Sequence, residues 1–469
     1  MEETLYKTDL KNHLEKKGKH DVGDVLDVLP FLSKKTRAIR GNFNKVLGEY
    51  TRRICSVHLN TNLYKQKEFY TSADENILSE QIAESLDFND SSEASYDFIR
   101  FLDQYLFNQD EIKPIHLHLF NYITIDEKNS NEFKKYAQFL NETLAKNNRE
   151  LKEVFTNKTA EDILTELILS QLDALKEDKA IQNHYQSLLE PLAKCYQEDV
   201  LYLSKFKDYF ISAFPVLTHF YAFMYASQLI IKFEQFTKGS FDQVQPIYFS
   251  LDWEALSKRR RAAEEIQSYK YIKASAKHLF PHIHAISHLS NNVLNEKSNG
   301  KLSFMPYKEL YDEIVARGTD FEQAFLKDLK AWINEYKQLK FTGVSIEDHS
   351  ATIPEAFEVL FKCIEEGTST SVSEKYGGNI EDLAANQFIK NRGNLGQVLN
   401  IKHDFLLLLT AVSVKDKRIP LKDLFNEFEK RGILLDRYSK TEVVKLYDNL
   451  NIIDKKSDSG DAQYVKPIL

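Results

Sequence analysis

The stretch FLLLLTAVSVKDKRIPLKDLFNEFEKRGILLDRYSKTEVVKLYDNLNIIDKKSDSGDAQYVK, Phe405 to Lys466, carries the clearest structural grammar in the chain. Three segments in it place apolar residues at i, i+3, i+4 and i+7. They are Phe405/Leu408/Leu409/Val412, Leu421/Leu424/Phe425/Phe428 and Val443/Leu446/Tyr447/Leu450, and each puts one stripe toward a shared core. Pro420 is suited to a first helical turn, and Gly432 follows Glu429-Lys430-Arg431 where a left-handed residue ends a helix. Ser439-Lys440-Thr441-Glu442 reads as a capping box. Ile452–Lys456 and Ala462–Lys466 then flank a Gly- and Asp-rich turn, the pattern of a β-hairpin. Three helices followed by a hairpin predict a winged helix-turn-helix domain.

What such a domain would bind stays open between DNA and a protein partner. The third helix shows Thr441, Lys445 and Asp448 opposite its stripe, and from Lys415 to Leu469 twelve bases face ten acids. DNA affinity draws on phosphate neutralisation, and the available cations are Lys440, Lys445, Lys455, Lys456 and Lys466. Ser457, Ser459 and Gln463 add polar groups on the hairpin. Winged helices also serve as protein-docking modules, because fold does not fix function.

Outside this stretch the 469 residues are 42% hydrophobic with only 15 Gly and 10 Pro, well below average usage for both. That argues for a mainly α protein of several helical units and against a large β or nucleotide-binding sheet fold. With 70 acidic and 62 basic residues the net charge is −8, which excludes a uniform nucleic-acid coat and leaves local basic faces possible. Cys55, Cys195 and Cys363 form no CxxC pair, and so sparse a set fits a reducing cytoplasm. The N-terminal MEETLYKTDLKNHLEKK has no apolar core of the kind a secretory signal needs. Tyr209 to Ile231 is free of charged residues and long enough to span a bilayer. Its scattered polar residues and Pro215 favour a buried core helix, so no membrane partner is expected.

Composition shifts divide the chain into a basic N-terminal unit (1–60), an acidic linker (61–95), a central helical domain (96–365), a polar Gly-containing linker (366–390) and the C-terminal unit (391–469). In the central domain, Asp162–Leu175 places Leu164, Ile168, Leu172 and Leu175 on one helical stripe. There is no internal repeat of fixed period.

Enzymatic motifs are sparse. Gly300-Lys301 and Lys238-Gly239-Ser240 both lack the GxxxxGK[ST] pattern of a phosphate loop, so no nucleotide cofactor is expected. His278, His282, His284 and His288 form two i, i+4 pairs able to hold a metal. A metal-dependent phosphohydrolase or nuclease built on them is the enzymatic alternative. Its carboxylates would have to come from elsewhere, since none lies between Glu265 and Glu296, and Pro281 interrupts the run. Buried or surface histidines are the favoured reading, with no catalytic residues assigned.

Basic segments are better candidates for binding. Lys34, Lys35, Arg37, Arg40, Lys45, Arg52 and Arg53 face only Glu49. Lys258, Arg259, Arg260, Arg261, Lys270, Lys273 and Lys277 face Glu264 and Glu265, with Tyr269 and Tyr271 interleaved. Guanidinium forks suit phosphate oxygens and tyrosine rings stack on bases. The two segments read as separate basic surfaces.

Asn391-Arg392-Gly393-Asn394-Leu395-Gly396, Phe428-Glu429-Lys430-Arg431-Gly432 and, above all, Lys456 to Lys466 (KSDSGDAQYVK) resemble the DNA phosphorothioation-dependent restriction protein DptG family. The likeness covers residues 391–469, and elsewhere extends only to length and helical character. It implies a bacterial antiviral defence system that restricts DNA lacking a sulfur-for-oxygen backbone mark. The chain would be a non-catalytic subunit acting with DptF-like and DptH-like subunits, the latter supplying ATP hydrolysis, on double-stranded DNA. A winged-helix transcriptional regulator is a further alternative.

Overall fold

Apolar residues at helical spacing and few chain-breaking residues give a mainly helical protein, seen in a computed structural model. The structure describes residues 3–18, 20–34, 37–60, 77–88, 92–108, 111–125, 129–178, 183–256, 268–339, 342–455 and 463–469. In chain order come α1 (Lys7–Lys17), α2 (Asn44–Cys55), α3 (Ile77–Glu84), α4 (Ser92–Leu106), α5 (Ser130–Leu140), α6 (Arg149–Thr156) and α7 (Ile163–Ser170). Next are α8 (Glu190–Leu203), α9 (Lys207–Glu234), α10 (Tyr269–Ser275), α11 (Leu279–Leu289), α12 (Tyr307–Ala316), α13 (Thr319–Lys337) and α14 (Ile353–Gly367). The last five are α15 (Thr370–Gly377), α16 (Asn379–Ala384), α17 (His403–Val414), α18 (Leu421–Lys430) and α19 (Arg437–Asn449).

Short strands tie distant helices together. They are β1 (Val57–Leu59), a hairpin of β2 (Phe107–Asn108) and β3 (Glu111–Ile112), and β4 (Leu175–Glu177), which pairs antiparallel with β1. β5 (Ile247–Tyr248) and β6 (Ser250–Leu251) follow α9. β7 (Ile389–Asn391) and β8 (Gln397–Ile401) are antiparallel, and β6 joins β8 in parallel. β9 (Ile419–Pro420), β10 (Ile433–Leu434), β11 (Ile453–Lys455) and β12 (Gln463–Val465) interleave with the last helices. They form a sheet of order β11-β12-β9, while β10 pairs in parallel with β5.

The centre of the protein is α9. By length and composition it could cross a bilayer, but 83% of its most apolar window is buried within the protein. It is apolar on every side because neighbours surround it, as expected for a central helix. Phe220 alone meets Phe249, Phe388 and Phe405 at ring-centroid distances of 6.4, 6.1 and 5.1 Å. The last of these pairs brings α17 against α9, and one contiguous set of buried apolar residues runs from Leu5 to Val465.

Several local expectations are revised. Residues 366–390, expected as a linker, form α15 and α16 and bury Ile380, Leu383 and Phe388. Their small polar composition is compatible with helices that take their stability from packing. Within the acidic 61–95 segment, α3 buries Leu78 and Ile82. α7 ends at Ser170, because Leu175 leaves the helical path to pair with Leu59 in the β1–β4 ladder.

In the C-terminal unit α19 starts at Arg437, two residues before the expected cap. Asp436 accepts hydrogen bonds from the Tyr438 and Ser439 amides, so the Ser439 capping box does not form. The Ser439 hydroxyl instead donates to the buried Glu254 at 2.8 Å. Pro420 sits immediately before α18 rather than in its first turn. Gly432 takes the expected left-handed conformation, φ +88°, after α18. A Cβ there would also lie 2.5 Å from the Met224 sulfur of α9.

The C-terminal helices are locked to the centre by a buried ion pair. Arg431 Nε and Nη2 donate to the two Asp199 carboxylate oxygens at 2.8 and 2.6 Å, and Tyr221 Oη donates to the same carboxylate at 2.6 Å. Nη1 is held by the Glu427 carboxylate at 2.9 Å, and Nη2 also reaches the Val412 carbonyl at 3.1 Å. Asp199 and Arg431 are both enclosed, so removing one partner strands the other's charge. We expect Asp199→Asn to lower the unfolding free energy by about 3–5 kcal/mol. Adding Arg431→Met should recover part of that loss, as read by urea titration.

Candidate functional site

The two basic segments, far apart in sequence, flank the same short helix. α15 lies close against the turn Ala276–His278, where a Cβ on Gly377 would be 2.3 Å from the Ala276 carbonyl oxygen. Only glycine permits that approach. α16 then presents two adjacent carboxylates, one to each basic segment. Asp382 pairs with Arg40 at 3.2 Å, and Glu381 pairs with Lys273 at 2.9 Å. The Lys273 ammonium, hydrogen-bonded to Glu381, holds that carboxyl below its ordinary range. Lys273 also donates to Gln397 of β8. The N-terminal loop is anchored to the same place, because the Asn379 amide donates to the Leu32 carbonyl at 2.9 Å and Phe31 meets the Tyr376 ring edge-on.

Exposed cations of the two segments thus meet at α16, where one from each pairs with an adjacent carboxylate. Lys34, Arg37 and Arg40 are exposed, and Lys270, Lys273 and Lys277 are exposed along α10 and the turn after it. Charge counting misses this convergence, because the only sequence clue is a helix whose composition reads as a linker. Lys35, Lys258, Arg259, Arg260 and Arg261 lie outside the described residues.

Arg52 and Arg53 take no part in this convergence. Arg52 is buried, and its Nη1 donates to the Asn121 and Ile123 carbonyls at 2.9 and 2.8 Å. Arg52 and Arg53 both pair with Glu49 at 3.1 Å. They face inward because α2 packs against the turn Leu117–Tyr122, whose C-terminal carbonyls need donors.

The C-terminal candidates carry cations that are mostly paired with neighbours. Lys445 pairs with Glu442 at 2.7 Å, and Lys466 pairs with Asp454 at 3.5 Å. Lys440 reaches Glu429 at 3.5 Å while lying 5.0 Å above the Phe425 ring. Thr441 is exposed, and Gln463 is half-buried opposite Lys455 in the β11–β12 register. Lys456, Ser457 and Ser459 lie outside the described residues. The start of α19 at Arg437 adds Arg437 and Tyr438 to its exposed first turn. The Arg437 guanidinium lies 4.6 Å over the Tyr438 ring, and half of Tyr438 is exposed. The signal for this lies in Asp436-Arg437-Tyr438-Ser439, where Asp436 and Ser439 compete as caps.

The four clustered histidines divide between two environments. Pro281 falls in the first turn of α11, just after the tighter turn Ala276–His278. His278 Nδ1 is 2.7 Å and His282 Nε2 is 3.4 Å from Glu234 Oε1 of α9, and His278 Nε2 is 3.4 Å from Glu365 of α14. Burial works to raise the Glu234 pKa, but the two imidazoles outweigh it and hold the carboxyl down at about 2. The Glu234 hydrogen bond raises His278, whereas burial lowers His282. His284 instead lies beside the His20 ring, and His288 Nε2 donates to the His20 carbonyl at 3.0 Å. Among the described residues no group of three or more His, Cys, Asp or Glu side chains is arranged to hold a metal ion.

These histidines make the fold sensitive to acid. Burial pushes His284 down to about 4 and His288 to about 3. Below pH 6.5 the unfolded chain takes up protons that these folded residues refuse. Stability is therefore full above 6.5 and should fall by about 1.4 kcal/mol per pH unit for each histidine as the pH drops toward 4. His278 acts oppositely, its contribution being full below 6.5 and fading as the pH rises through its raised folded value. Urea titrations at pH 7 and pH 5 check the net loss, and equal stabilities would contradict it. In comparison with known proteins, the chain matches no family model and no curated sequence.

Proposed function

We propose that the chain is a non-catalytic subunit of a phosphorothioation-dependent DNA restriction complex. In this reading the composite basic face around α16 tracks the phosphates of double-stranded DNA, and the C-terminal unit docks on a partner subunit. The convergence of Arg40 and Lys273 on α16 is the observation that carries it, because it joins two cationic segments into one surface on an acidic protein. Long-range phosphate attraction needs such a local concentration of positive charge, whatever the net charge.

The C-terminal unit supports the second half of the proposal. Its order α17-β9-α18-β10-α19-β11-β12, with a sheet arranged β11-β12-β9 and β10 paired outside it with β5, supports a winged-helix reading. Its lysines are largely neutralised by their own neighbours, while Arg437 and Tyr438 offer the amphipathic anchor common at protein interfaces. DptF-like and DptH-like subunits are the partners the sequence resemblance implies, with the winged helix facing one of them.

Gel-shift titration of duplex DNA over a range of salt concentrations tests the DNA half. The variant Lys34→Glu, Arg37→Glu, Lys270→Glu, Lys277→Glu should lower the slope of log affinity against log salt by about 0.9 for each phosphate no longer neutralised. Unchanged binding, or binding insensitive to salt, would overturn it. Arg437→Glu with Tyr438→Ala should abolish co-purification with the ATPase partner and leave DNA affinity within about twofold. The reverse outcome would assign DNA binding to the C-terminal unit.

A further inference from the structure

On a different part of the surface, α4 is a helix with most of its length unburied. Of its 15 residues only Leu102 and Leu106 are buried, and it rests chiefly on α3. An amphipathic helix usually hides its aromatic residues, yet here they form a ladder that is only partly covered: Phe88, Phe98 and Tyr105 are half-buried, the last two against the core, and Phe101 is exposed. Phe88 meets Phe98 at 5.6 Å between ring centroids, Phe98 meets Phe101 at 6.3 Å, and Phe101 stacks on Tyr105 at 5.7 Å. The positions 98, 101 and 105 follow helical spacing, so the rings line one ridge. Phe101, at its middle, is 48% exposed.

The ladder's surroundings are acidic. Glu80, Glu84, Asp87, Glu93, Asp97 and Asp103 lie on α3, α4 and the segment between them, and the exposed Arg100 is the one cation from Ile77 to Leu106. Ring faces carry negative quadrupole potential and attract cations within about 6 Å. Carboxylates beside them add a charge-assisted hydrogen-bond partner for a guanidinium. The same carboxylates repel phosphate, so base stacking by a nucleic acid strand is disfavoured despite the exposed rings.

We propose that the Phe88–Phe98–Phe101–Tyr105 ladder is the docking surface for an arginine- and lysine-rich segment of a partner protein. The cationic heads sit over the rings and pair with Glu93 and Asp97, while their aliphatic stems cover the exposed edge of Phe101. The surface is opposite in sign to the α16 face, so the two can be occupied together by a cationic partner and by DNA.

Fluorescence anisotropy of the full chain with a labelled peptide of alternating Arg and Leu tests this. Phe101→Ala should weaken binding at least tenfold, and so should the pair Glu93→Gln and Asp97→Asn, which leaves the packing intact if the truncation perturbs folding. A Glu/Leu peptide should not bind. The distant pair Glu313→Gln and Asp320→Asn should change affinity less than twofold. Wild-type affinity in the Glu93/Asp97 variant would overturn the proposal. An equal loss in the distant pair would also do so, by showing diffuse attraction to an acidic protein. A labelled oligothymidylate whose binding depends on Phe101 would reassign the ladder to nucleic acid.

Discussion

The Arg431–Asp199 pair is the constraint on which the rest of the structure depends. A carboxylate enclosed beneath the long central helix is tolerable only with its charge compensated, and Asp199 receives three donors from two distant parts of the chain. A well-packed apolar replacement would stabilise as well or better in many proteins. What the ionic arrangement adds is direction. Bidentate geometry admits one orientation of Arg431, which fixes the end of α18 and places Gly432 against Met224. The parallel pairing of β10 with β5 begins immediately afterwards, so the ion pair, together with the Ser439–Glu254 hydrogen bond, sets where α19 lies.

The basic face obeys a different energetic rule. Lys273 and Glu381 are both accessible to solvent, and a surface ion pair of this kind contributes about 0–1 kcal/mol, whereas Asp382, the partner of the exposed Arg40, is buried. Glu381 therefore holds Lys273 in place without committing it, while the buried Asp382 relies on Arg40 to compensate its charge. Releasing Lys273 from Glu381 sacrifices little, whereas releasing Arg40 would leave the buried Asp382 carboxylate uncompensated. Burial of the carboxylate separates the Lys273 pair from those of Arg40 and Arg431, although all three side chains are basic residues paired with carboxylates.

Legibility in the sequence follows the range of the forces involved. The apolar stripes of α17, α18 and α19 are readable because amphipathicity is local, and burial of Leu424, Phe428, Val443 and Tyr447 accords with it. Leu450 falls on the stripe by its spacing but is half exposed, since α19 ends at Asn449. The α15–α16 pair is unreadable for the opposite reason. Gly377-Gly378 looks like a flexible joint, and only the Ala276 backbone, distant in sequence, shows that Gly377 serves a close approach. Arg52 illustrates the same limit: charge counts do not distinguish a guanidinium facing water from one holding two buried carbonyls.

The position of α9 has a consequence for synthesis of the chain. The helix is complete at Glu234, but Phe388 and Phe405, which cover Phe220, emerge much later. At about 5–20 residues per second, the delay is roughly 10 to 30 seconds. During that interval the ribosome displays a 28-residue helix with the length and apolarity of a membrane anchor. Until its last helices close over the centre, the chain carries this helix without the two rings that cover Phe220 in the folded protein.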